Sequence, residues 1–181
     1  MERKINTSAI SPITVSQAEE LSALAKAIYV EHYLHLWHPG GADWYMHEYA
    51  YHPDTLRKEL ADKNNLHFIV YDEAGKAGGY LKLKLHAVLT GSEDKQCLEI
   101  ERIYLHRSMA GKGIGKQLIL LSESIAREHK KEMVFLKAMD TSTDAISFYQ
   151  KMGYTICGTM VLPFEVMKPE YRGMVIMHKP L

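Results

Sequence analysis

The sequence is poor in cysteine, in long apolar runs and in excess charge of either sign. Its two cysteines, Cys97 and Cys157, lie on separate predicted strands, which favours reduced thiols packed as small apolar side chains over a disulfide framework. No window approaches the roughly 18 apolar residues of a membrane span. The 22 basic and 22 acidic residues cancel, so the composition favours neither nucleic acid nor an anionic membrane as a partner. We therefore expect a cytoplasmic protein.

Repeats, low-complexity tracts and linkers rich in Pro, Gly or Ser are missing as well. The 181 residues, of which 46% are hydrophobic and 24% charged, suffice for one buried core. Because no change in composition divides the chain, we predict a single domain over residues 1–181.

Hydrophobic periodicity predicts a mixed order of helices and strands. After a short segment over residues 5–15, a helix capped by Ser16 and a helix opening at Pro53 precede the first hairpin. Two further helices follow the glycine-rich run at 110–115 and the hydroxyl-rich run at 141–143, and Gly153 ends the last one. The predicted strands after the two first helices cover residues 67–71, 79–89, 97–105, 133–138, 154–160 and 174–178. This order, β, α, α, β, β, β, α, β, α, β, β, predicts an α/β (α+β) fold.

The run Ala-Gly-Lys-Gly-Ile-Gly at 110–115 lies between a predicted strand and an amphipathic helix. Alternate glycines let the backbone approach a ligand closely, and amides at a helix N-terminus attract negative charge. Lys112 and Lys116 add positive charge. The run predicts a pyrophosphate site, and the alternatives are a flexible turn with ordinary surface lysines.

Two common phosphate motifs do not fit this run. A P-loop requires glycine where Ala110 stands and a hydroxyl residue where Gln117 stands. The dinucleotide fingerprint requires glycine or alanine at the position of Leu118 in one frame and of Lys116 in the other. Both motifs are therefore excluded.

The spacing instead resembles the acyl-CoA loop of the Gcn5-related N-acetyltransferases, Gln/Arg-x-x-Gly-x-Gly/Ala. Gly113 and Gly115 occupy its glycine positions, and Ala110 departs from it at the first position. The segment 144–154, Asp-Ala-Ile-Ser-Phe-Tyr-Gln-Lys-Met-Gly-Tyr, is similar to that family's Ala-x-x-Phe-Tyr-x-Lys-x-Gly-Phe pattern. The likeness extends over residues 67–160. The run Leu-Glu-Ile-Glu-Arg-Ile-Tyr at 98–104 and the aromatic N-terminal third look most like the Pai-type spermidine/spermine N-acetyltransferases.

The resemblance implies the fold of this family. It consists of a central mixed, mostly antiparallel sheet of about six or seven strands, flanked by about four helices, with a splay between strands 4 and 5. Acetyl-CoA would lie in the splay, with its pantetheine on the strand backbone and its pyrophosphate on the glycine loop. The implied contacts to it are Ile103, Tyr104, Leu105, Gly111, Lys112, Gly113, Ile114, Gly115, Lys116, Ser142 and Tyr149.

Acyl transfer to an amine requires that the amine first lose a proton, because amines similar to lysine have a pKa near 10.4. The resemblance points to Glu101 as the base, with Glu99, two residues earlier on the same strand face, as the reserve candidate. A water path is the alternative. Tyr149 is the predicted acid for the leaving thiolate, because a phenol with a pKa near 10 stays protonated. The competing interpretation is that lysine or arginine binds both carboxylates and that Tyr149 only packs in the core.

Residues 29–52 are rich in tyrosine and tryptophan, with Glu31, Asp43 and Glu48 interleaved. Aromatic faces attract ammonium groups, by about 0.5 to 2 kcal/mol each. In this family the first two helices line the acceptor site, so the resemblance predicts four substrate-binding residues, Tyr33, Trp37, Trp44 and Tyr45. The alternative is ordinary aromatic packing.

Five of the ten histidines also fall in this region, among them His32 and His35. No cysteine joins them, and neither the HExxH spacing nor a zinc-finger spacing occurs. We therefore predict no metal.

The leading hypothesis is an acetyl-CoA-dependent N-acetyltransferase that acts in a ternary complex on a small, polyamine-like primary amine. One alternative is acetylation of a protein N-terminus or lysine, which an open, shallow groove would favour. The other is a non-catalytic acyl-CoA sensor, suggested by the departure at Ala110 and by Ser142, which stands where the family often has Asn. By analogy with relatives, the chain would form a homodimer.

Overall fold

The computed structural model describes residues 10–181, and its strands form one seven-stranded sheet. Their order is β1-β2-β3-β4-β5-β7-β6. Only β4 and β5 run parallel, and every other neighbouring pair is antiparallel. The strands are β1 (Ile10–Pro12), β2 (Asn65–Tyr71), β3 (Ala77–Ala87), β4 (Cys97–Leu105), β5 (Met133–Met139), β6 (Thr155–Val161) and β7 (Gly173–Pro180). The predicted mixed, mostly antiparallel sheet is confirmed.

In the described part of the chain, five helices flank the sheet. They are α1 (Ala18–His32), α2 (Gly41–Trp44), α3 (Pro53–Ala61), α4 (Ile114–Glu128) and α5 (Thr143–Lys151). A π-helical turn, Tyr45–Tyr49, continues α2. None of the helices within residues 10–181 combines the length and the apolar character needed to cross a bilayer.

The splay predicted between strands 4 and 5 is present. The parallel ladder of β4 and β5 runs from Cys97 opposite Met133 to Ile100 opposite Leu136 and stops there. β4 continues beyond this point against β3, and β5 continues against β7. Residues 101–105 and 137–139 therefore face each other across an opening between the two strands.

The sheet has an apolar core on each face. On one face the amphipathic helix α4 packs with Leu118 and Ile119, both fully buried. Burying a leucine of this kind contributes about 2 kcal/mol. On the other face α1 and the following segment bury Ile28, Tyr29 and Trp37. The second core is aromatic, and it forms one side of the opening described above.

Three local predictions were wrong. Ser16 does not cap the first helix, because a short 3-10 turn, Val15–Gln17, already begins after Thr14. Residues 41–49 are helical although no helix was predicted there. Cys157 is an exposed free thiol, since it lies on the edge strand β6, whereas Cys97 is buried as expected. The part of the predicted segment 5–15 before Ile10 lies outside the described residues.

Candidate active site

Two cavities open at the splay and share a wall. The splay cavity encloses about 120 Å³ between β4, β5 and α5, and the aromatic cavity encloses about 430 Å³ between the sheet, α1 and the π-helical turn. The residues that line both are Tyr33, Glu101, Tyr104, Lys137, Met139 and Met174. Two reactants bound in the two cavities would therefore meet beside Glu101.

The glycine loop at the start of α4 presents free backbone donors. Gly111 and Gly113 have φ values of +73° and +76°, a conformation that side chains disfavour, and Gly113 is the N-cap of α4. The six consecutive amides from Gly111 to Lys116 donate to no atom of residues 10–181. Amides at a helix N-terminus bind anions. The loop therefore fits a pyrophosphate, and the exposed side chains of Lys112 and Lys116 lie beside it.

The strand end before this loop is tied to helix α1. Ile103 and Tyr104 line the splay cavity, and the Leu105 carbonyl accepts a hydrogen bond from His32 Nε2 (3.0 Å). The Arg107 amide donates to Glu31 Oε2 (3.0 Å), and the bonds from Arg107 and His106 hold the pKa of the Glu31 carboxyl below its usual value. The end of α1 thus fixes the entry to the glycine loop.

Glu101 lies at a β-bulge. The register of β3 and β4 shifts between Lys82 and Leu83, which face Arg102 and Ile100, so Glu101 has no partner across the ladder. A bulge of this kind breaks the alternation of side chains. As a result, Glu101 and Arg102 both line the aromatic cavity, although they are adjacent in sequence.

Lysines from β3 hold the Glu101 carboxylate. Lys82 Nζ lies 3.1 Å from Oε1 and 3.0 Å from Oε2, and Lys84 Nζ lies 3.2 Å from Oε2. Burial raises the pKa of Glu101, but Arg102, Lys82 and Lys84 together lower it further than burial raises it. Glu101 is therefore ionised at neutral pH and is a weak base in this resting arrangement. Glu101 thus lies where the base is predicted, and it also has the lysine and arginine partners that the competing interpretation predicts.

Glu99, the reserve candidate, also lines the aromatic cavity, on the same side as Glu101. Its Oε1 accepts a hydrogen bond from Lys137 Nζ at 2.9 Å. It is absent from the splay cavity, so it lies farther than Glu101 from the predicted thioester position.

Tyr149 lines the splay cavity, and its hydroxyl has no hydrogen-bond partner among the described residues. Burial, and secondarily Tyr33, raises the pKa of this phenol well above its usual value. The hydroxyl is therefore protonated and free to donate. Ser142, the N-cap of α5, lines the same cavity, and its side chain makes no capping hydrogen bond.

The four aromatic residues predicted to bind substrate divide into two pairs. Tyr33 and Tyr45 line the aromatic cavity. Trp37 is buried in the core, where its Nε1 donates to the Tyr29 hydroxyl at 2.9 Å, and Trp44 stacks on Tyr49 with 5.0 Å between ring centres. Neither tryptophan lines a described cavity, so ordinary packing accounts for both.

Sequence reasoning missed one wall and most of the cations of this site. Residues 162–164, Leu-Pro-Phe, from the connection between β6 and β7, close the aromatic cavity. Their only signal was an apolar run in a connection that is usually polar. Within residues 10–181, no group of three or more His, Cys, Asp or Glu side chains is arranged to hold a metal ion.

Comparison with known proteins agrees with this geometry. The chain is 34% identical over 102 residues to an uncharacterized N-acetyltransferase of Lactobacillus delbrueckii subsp. lactis. The aligned region covers 56% of this chain and 58% of that protein. It is 29% identical over 100 residues to streptothricin acetyltransferase of Streptomyces lavendulae, and this aligned region covers 55% of the chain and 50% of the acetyltransferase. The chain thus spans about half the length of these relatives.

Among solved structures, PaiA N-acetyltransferase from Thermoplasma acidophilum in complex with coenzyme A superposes with a TM-score of 0.73. The match covers 95% of this chain and 98% of that one at 20% identity, which is a likeness of fold. The family model for the acetyltransferase (GNAT) family matches residues 29–154, a range that contains the splay, the glycine loop and Tyr149. The chain belongs to the acetyltransferase (GNAT) family.

Proposed function

We propose that this chain is an acetyl-CoA-dependent N-acetyltransferase that transfers the acetyl group directly to a primary amine of a small acceptor. The observation that carries the proposal is the meeting of the splay cavity and the aromatic cavity at one wall, which contains Glu101. One reactant in each cavity would form a ternary complex without a covalent enzyme adduct.

The splay cavity and the glycine loop are the proposed site for acetyl-CoA. The amides of Gly111 to Lys116 would hold the pyrophosphate, with support from Lys112 and Lys116. The open backbone edge of β4 at 103–105 would hold the pantetheine, and the Ser142 hydroxyl is available to its arm. Because Ala110 offers no polar side chain, the backbone amides would supply most of the affinity of the loop for the pyrophosphate.

Glu101 is the proposed proton acceptor, directly or through a water molecule. The amine must lose its proton before its nitrogen attacks the thioester carbonyl. When Glu101 accepts the proton, Lys82 and Lys84 lose a carboxylate partner, so the proton is passed on readily to solvent. The nitrogen attacks the carbonyl carbon to form the C–N bond of a tetrahedral adduct, whose collapse breaks the C–S bond. The Tyr149 hydroxyl donates a proton to the departing thiolate, and the resulting phenolate takes up the second proton that the nitrogen loses.

The aromatic-walled cavity of about 430 Å³ supports a small acceptor, whereas a protein segment would be favoured by a shallow groove without such walls. Tyr33 and Tyr45 support binding of an amine-bearing body. A polyamine-like acceptor, the Pai-type subfamily, a homodimer and a cytoplasmic location all stay predictions.

A panel of amines and acetyl-CoA tests this function, with release of free thiol as the readout. We expect turnover with at least one small amine, and about 100-fold lower kcat/KM for Glu101→Gln with that amine. Glu165→Gln, a carboxylate outside both cavities, is the matched control. Binding of acetyl-CoA without turnover on any amine or peptide would favour the acyl-CoA sensor.

A further inference from the structure

The charged groups around the aromatic cavity neutralise one another without an acceptor. Three carboxylates and four permanent cations on β3, β4, β5 and α3 form a charge network in two parts, in which the Glu99–Lys137 pair makes no ion pair with the other five residues. His67 beside them is neutral, because burial and the nearby Lys82 lower its pKa to about 4. The network consists of Glu59, Glu99, Glu101, Lys82, Lys84, Arg102 and Lys137, and its net charge is +1.

Each carboxylate of this network is already bound. Glu59 accepts two hydrogen bonds from Arg102, at 2.9 and 3.2 Å. Glu101 is held by the two lysines of β3, and Glu99 is held by Lys137 at 2.9 Å. An additional ammonium group in the cavity would have to compete with these cations for the carboxylate oxygens.

This arrangement treats a first and a second ammonium group differently. The reacting amine gives up its proton, so it needs no lasting counter-charge. A second ammonium group would stay charged and would need a free carboxylate, since burying an unpaired charge is costly. Asp62, on the open surface beside the cavity, has no cationic partner among the described residues, but it is exposed and its attraction is screened by solvent.

The rest of the cavity wall is apolar or aromatic. Phe164 packs edge-on against Tyr45 and Tyr49, with ring centres 5.9 and 5.2 Å apart, and Met167 lies beside them. Such a wall suits a hydrocarbon or ring.

We propose that the acceptor is a monoamine with an apolar or aromatic body, and that Lys137 excludes diamines and polyamines by neutralising Glu99. This inference rests on the proposed acetyl transfer to a small amine. It contradicts the polyamine-like acceptor predicted from the sequence, because that prediction relied on Glu31, Asp43 and Glu48, none of which lines the aromatic cavity.

The test compares hexylamine with hexamethylenediamine, which differ by one terminal ammonium group, using acetyl-CoA and thiol release. For the unaltered protein we expect kcat/KM to be at least about tenfold higher for hexylamine. Lys137→Gln leaves Glu99 unpaired, so kcat/KM for the diamine relative to hexylamine should rise about tenfold. Lys137→Arg keeps the charge and should keep the preference. The double variant Glu99→Gln/Lys137→Gln should lose the gain.

Equal or better use of the diamine or of spermidine by the unaltered protein would overturn the inference. So would a Lys137→Gln variant that retains hexylamine turnover with an unchanged ratio of the two amines. A Lys137→Gln variant that fails to fold would show no hexylamine turnover. In that case the ratio of kcat/KM for the two amines, measured in the unaltered protein and in Lys137→Arg, still tests the preference for a monoamine. Absence of thiol release with every amine tried would instead contradict the proposed function, and the inference with it.

Discussion

The glycine loop and the charged wall of the aromatic cavity handle charge in opposite ways. The loop offers six backbone amides at the start of α4 that have no acceptor within the described chain. In the wall, every carboxylate already has a lysine or arginine within 3.2 Å. The loop is thus prepared to bind an anion, whereas the wall is already neutralised and gains little from binding a cation. We infer that this site recognises the cosubstrate by charge and the acceptor by shape.

Removing Lys82 is the most severe way to test this contrast. Its side chain is 3% exposed and contacts both Glu101 and Glu59, so Lys82→Met leaves two carboxylates without their shared cation. We expect a loss of about 3 kcal/mol in the free energy of unfolding, measured in urea. Lys112→Met removes an exposed lysine of the glycine loop and should change it by less than about 0.5 kcal/mol. Equal changes in the free energy of unfolding for Lys82→Met and Lys112→Met would contradict this difference between the charged wall and the glycine loop.

Tyr149 lies between the two regions and should affect the chemical step alone. Tyr149→Phe keeps the ring packing and removes the free hydroxyl, so kcat should fall about 100-fold while KM for acetyl-CoA changes little. Because its pKa is raised, the hydroxyl should stay protonated up to at least about pH 9, so its ionisation should cause no alkaline loss of kcat below that pH. Tyr171→Phe, outside both cavities, is the control. An unchanged kcat in Tyr149→Phe would assign the proton to solvent.

The smallest expected effect concerns the backbone of the loop. Gly113 has open space around its α-carbon but a φ of +76°, so Gly113→Ala should cost about 1 kcal/mol of stability through backbone conformation alone. It should also raise KM for acetyl-CoA, because the amides lose their alignment. Gly115→Ala, within α4, should leave stability nearly unchanged, since its methyl group would only contact Phe148 at 3.4 Å. A stable Gly113→Ala with unchanged KM would show that the loop conformation is not needed.

Elements defined by local signals were predicted well. The bounds predicted for β4, residues 97–105, agree with the structure, and the helix after the hydroxyl-rich run ends before Gly153, which has a φ of +92°. Strand alternation, helical spacing and a left-handed glycine all act over a few residues. The helical turns over residues 41–49 escaped because Pro39, Gly40 and Gly41 indicate a break, and tertiary packing of the aromatic side chains outweighs that signal.

The charged wall could not be predicted in the same way. Lys82 and Lys84 meet Glu101 only because of the register of β3 and β4, and the bulge at Glu101 has no marker in the sequence. Lys137 reaches Glu99 through the parallel pairing of β4 and β5, between residues 38 positions apart in the chain. Phe164 reaches the cavity from a connection near the other end of the chain. These contacts depend on how distant segments pair, so no local pattern reveals them.

The sequence by itself determined the glycine loop with its free amides, because glycines with positive φ and a helix N-terminus create such amides wherever the rest of the chain lies. It also determined the family, through that loop and the segment around Tyr149. Only the tertiary structure decided which charges remain free in the aromatic cavity. A carboxylate such as Glu99 is available to a ligand only when no lysine from another strand reaches it first, and that is a property of strand pairing and not of the residue.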